Sequence, residues 1–372
     1  MPHRILIAPD KFKGTLTARQ AAEALAAGWR RARPTDALDL LPITDGGDGF
    51  GAVLGAACGA EGRIVETVDA AHRPVRSEWG WQPERKLAIV ESARIVGLAQ
   101  LPPGRFHPFE LDTFGLGAVL RAAEAAGARR CLIGLGGSAT NDGGLGVARA
   151  LGWQFLNKHD ELIHRWTELH GLCLLHPPAA PLGFEEVVVA VDVRNPLLGP
   201  AGCTRVYGPQ KGLRPEDFEF AERCLGQLAR VVERQLRLAV ADEPGAGAAG
   251  GLGFGLRCFA GARLEPGFAV FARQAQLAEQ VRQADLVLTG EGVIDASSAM
   301  GKGVGELARL CQERGIPCVG FAGQVSAAAP ADAGFAQLYS LTPEFTSVEN
   351  AVAEPALWLE RLAERAAGRC PV

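Results

Sequence analysis

A glycine-rich segment between an apolar run and a helix-forming stretch constrains the fold of this chain more than any other feature. The apolar residues 131–133 predict a strand, and residues 145–151 can form a helix. Residues 134–144, Gly-Leu-Gly-Gly-Ser-Ala-Thr-Asn-Asp-Gly-Gly, predict a turn whose backbone N–H groups, together with the helix N-terminus, favour an anion. A tight turn with Asx capping is the alternative that needs no ligand. The candidate ligands in this segment are Gly136, Gly137, Ser138, Thr140, Asn141 and Asp142.

The composition allows large folded cores and argues against several classes of protein. The chain has 372 residues, of which 48% are hydrophobic, so it is long enough for two domains. A net charge of −4 argues against nucleic-acid binding, and no apolar run of about 18 residues predicts a membrane span. The N-terminus lacks a signal-peptide pattern, so we expect a cytoplasmic protein. The nine cysteines include no Cys-x-x-Cys pair, which argues against zinc.

The order of strand-like and helix-like segments predicts an α/β fold. Residues 4–8 predict a strand, and Thr17 can cap a predicted helix from about residue 18 to 31. Strand and helix patterns alternate near both chain ends, whereas residues 63–90 show alternating strands and residues 243–257 predict a glycine- and alanine-rich loop. An α/β domain made from both chain ends, with a second α/β domain inserted between them, fits this order. We predict the first domain over residues 1–65 plus 283–372 and the inserted domain over residues 66–282, with the assignment of residues 112–152 left open.

Lysine is scarce in this chain, and its positions are informative. There are six lysines, and four of them lie in glycine-containing, loop-like motifs: Lys11, Lys13, Lys211 and Lys302. A lysine ammonium group acts as a compact point charge toward phosphate. The pattern therefore predicts anion-binding sites at these positions, with chance clustering of lysines in loops as the alternative.

Carboxylates follow several of the predicted strands. Asp45 and Asp48 lie in the segment Thr-Asp-Gly-Gly-Asp-Gly, where they could bind Mg²⁺ or supply a general base, with a plain Asp-Gly turn as the alternative. Asp192 ends an apolar strand, which is where open α/β sheets bind their ligands. Glu291 and Asp295 follow another predicted strand.

Other short motifs add candidates or exclude functions. Asp10 lies after the first predicted strand, Asn195 lies in a predicted turn after Asp192, and Gln210 lies in a predicted turn over residues 207–212. Residues 245–250 match Gly-x-Gly-x-x-Gly but follow no strand, which argues against a dinucleotide site. The sequence has no P-loop and no Gly-x-Ser-x-Gly elbow. Glycine turns, lysines and strand-end aspartates together indicate a Mg²⁺-dependent kinase with a non-Walker site.

The ordered set of motifs resembles the bacterial glycerate kinase family of the two-domain, flavodoxin-like type. The resemblance rests on residues 8–14 (Ala-Pro-Asp-x-Phe-Lys-Gly), 45–49 (Asp-Gly-Gly-Asp-Gly), 136–144 (Gly-Gly-Ser-Ala-Thr-Asn-Asp-Gly-Gly), 192–197 (Asp-Val-x-Asn-Pro-Leu), 208–212 (Gly-Pro-Gln-Lys-Gly) and 289–295 (Thr-Gly-Glu-Gly-x-Ile-Asp), with Gly-Lys at 301–302. Six motifs in the same order are far more specific than any one of them. The resemblance implies a flavodoxin-like open parallel sheet formed by both chain ends, with an inserted α/β domain. It also implies phosphorylation of D-glycerate by ATP, usually on the 2-hydroxyl group, in a cleft between two domains.

The chain also departs from the family pattern. Lys11 stands where serine is usual, Asp48 where glutamate is usual, and Val293 where arginine is common. Ser297 and Ser298 replace a usual Gln-Thr pair. These departures leave the identity of the acid substrate open.

On this resemblance we assign each candidate a hypothetical role. Ser138, Thr140 and Asn141, with the loop amides, cradle the phosphates of ATP. Three aspartates hold Mg²⁺ or accept the proton of the substrate hydroxyl group: Asp45, Asp48 and Asp192, with Asp192 assigned as the general base. The groups that neutralise the phosphoryl group or the substrate carboxylate are Lys13 and Lys302. Glu291 and Asp295 position Lys302 or the substrate. Further contacts with ATP or the substrate are assigned to Asp10, Lys11, Asp142, Asn195, Gln210 and Lys211.

Two other functions remain compatible with the sequence. One is a kinase for another small hydroxy acid or sugar acid. The other is a non-catalytic sensor of a nucleotide or metabolite, against which the intact polar motifs argue. A homodimer is compatible with the sequence, which does not itself predict an oligomeric state.

Overall fold

The computed structural model describes residues 2–295, 298, 303–326 and 334–369. The chain divides into two units: unit 1 comprises residues 1–45 and 268–372, and unit 2 comprises residues 46–267. Domain boundaries were predicted from the sequence after residues 65 and 282. The strand over Glu61–Val68 pairs with Pro74–Gln82 inside unit 2. The first boundary between the units therefore lies after residue 45, earlier in the chain than predicted. Residues 112–152, left open above, lie in unit 2.

The elements are numbered in chain order. The strands are β1 (Arg4–Ile7), β2 (Ala37–Leu40), β3 (Glu61–Val68), β4 (Pro74–Gln82), β5 (Leu87–Glu91), β6 (Arg130–Leu135), β7 (Gln154–Asn157), β8 (Leu172–His176), β9 (Glu186–Val191), β10 (Arg263–Pro266), β11 (Leu286–Ile294), β12 (Cys318–Val325) and β13 (Gln337–Thr342). The α-helices are α1 (Ala18–Ala32), α2 (Phe50–Cys58), α3 (Ala93–Val96), α4 (Leu116–Ala125), α5 (Leu145–Ala150), α6 (Cys203–Lys211), α7 (Pro215–Leu236), α8 (Ala248–Phe259), α9 (Gly267–Gln274), α10 (Leu277–Arg282), α11 (Gly303–Glu313), α12 (Val348–Ala353) and α13 (Pro355–Ala367). Short 3₁₀ helices cover Leu98–Gln100, Pro108–Glu110 and Trp166–Gly171.

Unit 1 contains a parallel sheet in the order β13-β12-β11-β1-β2. Numbered within the unit, this order is 2-1-3-4-5 read from the β2 edge, which is the flavodoxin-like order. The direction of winding reverses between β1 and β11, and such a switch point is where open α/β sheets bind ligands. The backbone N–H of Asp10 donates to the carbonyl of Gly290 at 2.8 Å, so the loop after β1 lies beside β11.

Helix α1 begins where the sequence predicts and packs against α13. Thr17 caps it, because its side chain accepts from the backbone N–H of Gln20 at 3.2 Å. The buried face of α1 contributes Leu25 and Trp29 to the core of unit 1. Gly28 on this face lies directly against α13, where a Cβ atom would overlap the carbonyl oxygen of Glu360 and approach Ala363.

We expect Gly28→Ala to lower the free energy of unfolding by about 1–3 kcal/mol, because the overlap forces the two helices apart. The same substitution at Gly55 in α2 is the control, since a Cβ atom there meets nothing within 4 Å. Gly55→Ala should be neutral or stabilise by up to about 1 kcal/mol through helix propensity. Urea unfolding of both variants measures the difference, and equal effects would refute the close packing at Gly28.

Unit 2 contains a mixed sheet in the order β10-β9-β6-β5-β4-β3. The strands from β10 to β5 are parallel, and β4 and β3 complete the sheet in antiparallel orientation. Strands β7 and β8 form a separate antiparallel pair. Strands β6 and β9 are almost entirely buried, as their unbroken apolar sequences predict. The loops that follow β5, β6 and β9 therefore leave the same edge of the sheet.

Two predicted segments differ from the structure. The turn predicted over residues 207–212 is wrong: residues up to Lys211 form the last part of α6, and Gly212, with φ of 107°, ends the helix. The glycine- and alanine-rich loop predicted over residues 243–257 is helical from Ala248, although Ala249, Gly250 and Gly251 have left-handed backbone angles. Within the described part of the chain, no helix combines the length and the apolar character needed to cross a bilayer.

Candidate active site

The first group of candidate residues lies in unit 1, at the carboxyl ends of β1 and β11. Asp10 is only 7% exposed, and burial together with the nearby carboxylate of Asp45 raises its pKa to about 7. Lys11 opposes this shift, and its Nζ lies 3.4 Å from Oδ1 of Asp45. The charge of Glu291 also reaches Asp10. The structure thus brings four predicted residues together: Asp10, Lys11, Asp45 and Glu291.

The rest of this group follows β11. Glu291 lies within β11 rather than after it, because pairing with β12 extends the strand to Ile294. The backbone of Gly292 lies against that of Lys13, whose side chain is exposed. Asp295 is linked to Ser298, whose backbone N–H donates to Oδ1 at 3.3 Å. Lys302, predicted to neutralise the transferred group, lies outside the described residues.

The second group lies in unit 2, in the loop between β6 and α5. The hydroxyl oxygens of Ser138 and Thr140 are 2.9 Å apart, and Ser138 Oγ also accepts from the backbone N–H of Thr140 at 3.1 Å. Asn141 is buried, and its Nδ2 donates to Thr204 on α6 at 3.1 Å. These contacts fix the hydroxyl and amide groups that the sequence predicts as phosphate ligands.

Asp142 has a different position from its neighbours in this loop. One carboxylate oxygen accepts from the backbone N–H and the hydroxyl group of Thr113 and from the N–H of Gly146, at 2.8–2.9 Å. The other oxygen accepts from the N–H of Gly144 at 3.0 Å. Burial, with Asp112 nearby, raises the pKa of Asp142. Both oxygens therefore hold the loop in shape, although the sequence suggests a contact with ATP or substrate.

Asp48 and Glu91 lie beside the same loop. The carboxylate of Asp48 lies against Gly137, where a Cβ atom would overlap it, and Asp48 is exposed. Glu91, the last residue of β5, accepts from the backbone N–H groups of Gly49 and Gly51 at 2.7 and 3.1 Å. The protein's own carboxylate thus caps the N-terminus of α2. Sequence reasoning missed Glu91, although an acid at the end of an apolar strand was a usable signal.

A third cluster follows β9. Asp192 is exposed at the carboxyl end of this strand. Burial of Tyr207 raises the pKa of its hydroxyl group, and the negative charge of Asp192 raises it further. The Tyr207 hydroxyl group donates to Oδ1 of Asn195 at 2.6 Å, and Nδ2 of Asn195 donates to the carbonyl of Ala201 at 2.8 Å. Asn195 therefore bonds within its own loop at Ala201 and links that loop to helix α6 at Tyr207.

Helix α6 carries the last two predicted residues. Gln210 is exposed, whereas Lys211 is buried, with Nζ donating to the carbonyl of Thr140 at 2.6 Å. Burial lowers the pKa of Lys211 to about 8. The lysine therefore contacts the β6–α5 loop from inside the protein.

The glycine-rich segment 245–255 also lies beside the candidate site, which was not predicted from the sequence. The backbone N–H of Gly143 donates to the carbonyl of Gly250 at 3.1 Å. The backbone N–H of Gly247 donates to the backbone carbonyl of Asn195 at 2.9 Å. The segment thus packs between the loops after β6 and β9. Its dense glycines were the signal, since only a chain without side chains can approach two backbones this closely.

The donor chemistry of unit 2 is compatible with Mg²⁺. The carboxylates of Asp48 and Asp192 are exposed, and Mg²⁺ in phosphoryl-transfer sites is held by one or two carboxylates with substrate oxygens and water. Among the residues that the structure describes, no group of three or more His, Cys, Asp or Glu side chains is arranged to hold a metal.

Comparison with known proteins gives one consistent result. The model of the glycerate kinase family matches residues 5–370. The chain is 36% identical to a glycerate kinase of Halalkalibacterium halodurans, over 98% of this chain and 97% of that protein. It is 35% identical to a glycerate 2-kinase of Escherichia coli K12, over 87% of this chain and 86% of that protein. A crystal structure described as glycerate kinase 2 from Salmonella typhimurium LT2 has a TM-score of 0.86 at 32% identity, and the match covers 99% and 98% of the two chains. The predicted α/β fold class is confirmed.

Proposed function

The chain belongs to the glycerate kinase family, and on this premise we propose that it transfers the terminal phosphoryl group of ATP to the 2-hydroxyl group of D-glycerate. The product is 2-phosphoglycerate. The observation that carries the proposal is the family match over nearly the whole chain, including all the motif loops.

The loop between β6 and α5 is the best candidate for the ATP phosphates. It combines the hydroxyl groups of Ser138 and Thr140 with a glycine-rich backbone at the carboxyl end of a parallel strand. Gly137 has a φ of 55°, a backbone conformation that glycine adopts without strain. Its lack of a side chain also lets Asp48 approach the loop.

Two exposed carboxylates of unit 2, one before α2 and one after β9, are the candidates for the metal and the proton. Asp48 and Asp192 would hold Mg²⁺. Asp45, the third ligand that the sequence predicts, lies in unit 1, where its carboxylate is 3.4 Å from Nζ of Lys11. A bound Mg²⁺ supplies positive charge that neutralises the phosphate oxygens during transfer. Asp192 also remains the proposed base that accepts the proton of the substrate hydroxyl group.

The residues in unit 1 are candidates for the acid substrate. Lys11 adds a positive charge where the family usually has serine, but Asp45 lies 3.4 Å from its Nζ. Much of this added charge is therefore compensated by the protein itself. Lys13 and Lys302 remain the proposed cations for the transferred phosphoryl group or the substrate carboxylate. Glu291 and Asp295 remain proposed to position Lys302 or the substrate.

One observation favours a second candidate, a kinase for another small hydroxy acid. Val293 stands where the family commonly has arginine, and it is 50% exposed on β11, two residues from Glu291. An exposed valine cannot bind a carboxylate, so a larger or less charged acid is a reasonable alternative substrate. A panel of hydroxy acids and sugar acids, compared by kcat/KM, separates the two candidates.

A coupled assay tests the proposed function directly. Purified protein is incubated with ATP, Mg²⁺ and D-glycerate, and product is converted to pyruvate by enolase and pyruvate kinase, with and without phosphoglycerate mutase. We expect pyruvate without the mutase, because enolase accepts 2-phosphoglycerate. Pyruvate only with the mutase would refute transfer to the 2-hydroxyl group. No product with either system, while ATP still binds, would refute the glycerate kinase proposal.

A further inference from the structure

Three side chains on one face of α6 hold two of the strand-end loops. Thr204, Tyr207 and Lys211 are spaced i, i+3 and i+7, so they lie along the same face of the helix. Thr204 and Lys211 contact the loop after β6 at Asn141 and Thr140, at 3.1 and 2.6 Å. Tyr207 contacts the loop after β9 at 2.6 Å.

Lys211 has the most unusual environment of the three. A lysine is almost never fully buried unless its ammonium group has a partner, and Lys211 is only 6% exposed. Its described hydrogen bond is to a neutral backbone carbonyl, that of Thr140. The titratable groups that face it are Asp142 in the same loop and Cys203 on α6, and both favour its charged form.

The carbonyl that Lys211 binds belongs to a residue with a candidate ligand. Thr140 carries one of the two linked hydroxyl groups proposed to bind ATP phosphates. A shift of its backbone would move that hydroxyl group and, through the 2.9 Å contact, Ser138 as well. Lys211 is thus one residue removed from the proposed phosphate site.

We propose that Lys211 is a positioning residue, which holds the Thr140 carbonyl from inside the protein so that the hydroxyl groups of the loop face the phosphates of ATP. This proposal takes the place of the sequence-based hypothesis that Lys211 contacts the ligand itself. The inference rests on the proposed assignment of this loop to ATP.

Lys211→Met tests the proposal, because it keeps the length of the side chain and removes the ammonium group. We expect KM for ATP and the directly measured Kd for ATP to rise about 10- to 100-fold, the range for loss of a charged hydrogen bond. The turnover number should change much less, by about threefold or less. Arg205→Met is the matched comparison, because it removes a cation from the exposed side of the same helix, and it should leave the Kd for ATP unchanged.

The pH dependence provides a second readout. The pKa of Lys211 is lowered to about 8, so kcat/KM for ATP of the wild-type protein should fall above pH 8. This decrease should be absent in Lys211→Met. Between about pH 8 and 10.5 the unfolded state binds more protons at this lysine than the folded state does. The stability of wild type relative to Lys211→Met should therefore rise with pH in that window. Activity and relative stability move in opposite directions, which general alkaline unfolding cannot produce.

Two results would overturn the proposal. If turnover falls at least 100-fold while the Kd for ATP is unchanged, Lys211 acts on the transferred group. A lower Tm with unchanged Kd, KM and kcat would mean that it contributes only to packing. The Kd for ATP is measured without glycerate, so a failure of the glycerate kinase proposal leaves this test intact.

Discussion

We expect Asp192→Asn to slow turnover by roughly 10²- to 10⁴-fold, the range for loss of a general base. Asparagine has nearly the same shape as aspartate but cannot accept the proton of the substrate hydroxyl group. Asp192 is exposed at the carboxyl end of β9, so the substitution should leave the core unchanged. Steady-state kinetics with saturating ATP and D-glycerate measure the effect on kcat.

The control for this substitution is Asp160→Asn. Asp160 is also exposed in unit 2, and its φ of 59° is one that asparagine tolerates well. We expect this variant to keep wild-type kcat. If Asp192→Asn also keeps full kcat, the assignment of the base is wrong.

The position of Asp192 can be checked independently of activity. The chain has two tyrosines, Tyr207 and Tyr339. A titration followed by tyrosinate absorbance therefore reports the pKa values of only these two groups. The charge of Asp192 contributes to the raised pKa of Tyr207. Asp192→Asn should therefore lower the pKa of one tyrosine, and no shift would mean that Asp192 does not face Tyr207.

We expect Gly250→Ala to have the largest effect on stability, lowering the free energy of unfolding by roughly 2–6 kcal/mol. Gly250 has a φ of 71°, and a Cβ atom there would overlap the carbonyl oxygen of Thr140. This oxygen is the acceptor for Lys211, so the loop is held from both sides. The methyl group must displace the loop, and KM for ATP should rise even where the variant remains folded.

Gly261→Ala separates the overlap from the backbone strain. Gly261 has a φ of 64°, but a Cβ atom there meets nothing within 4 Å. This control should lower the free energy of unfolding by about 1–2 kcal/mol, the strain of a left-handed alanine alone. It should leave KM for ATP unchanged. Urea unfolding and ATP kinetics of both variants provide the comparison, and equal costs would contradict the contact at Thr140.

Hydrophobic periodicity and capping signals were sufficient to predict the first strand and the first helix. The first strand and α1, with its Thr17 cap, lie within a residue or two of the predicted bounds, because local signals determine them. Helix α6 was missed, since Gly208 and Pro209 favour a turn when only neighbouring residues are considered. Its packing partners are distant in the chain, including Thr140, 71 residues away from Lys211.

The same limit applies to the candidate site. Asp142 has a side chain suited equally to a ligand and to a loop anchor, and only its contact with Thr113, 29 residues away, reveals the second. Residue type and loop position predicted where the polar groups gather at the strand ends. Whether each of these polar groups points into the protein or toward solvent depends on how the fold buries it. A short motif does not encode this burial.

The discontinuous composition of unit 1 has a consequence for synthesis on the ribosome. Arg4 and Asp285 are 281 residues apart in the chain yet share a hydrogen bond, and β1 lies beside β11 in the sheet. At about 5–20 residues per second, β1 and α1 wait roughly 15–55 s before β11 is made. Unit 2 is continuous over residues 46–267 and is fully synthesised before β11. During that interval the apolar face of α1 lacks its final partner α13, so this nascent segment exposes apolar surface that favours aggregation.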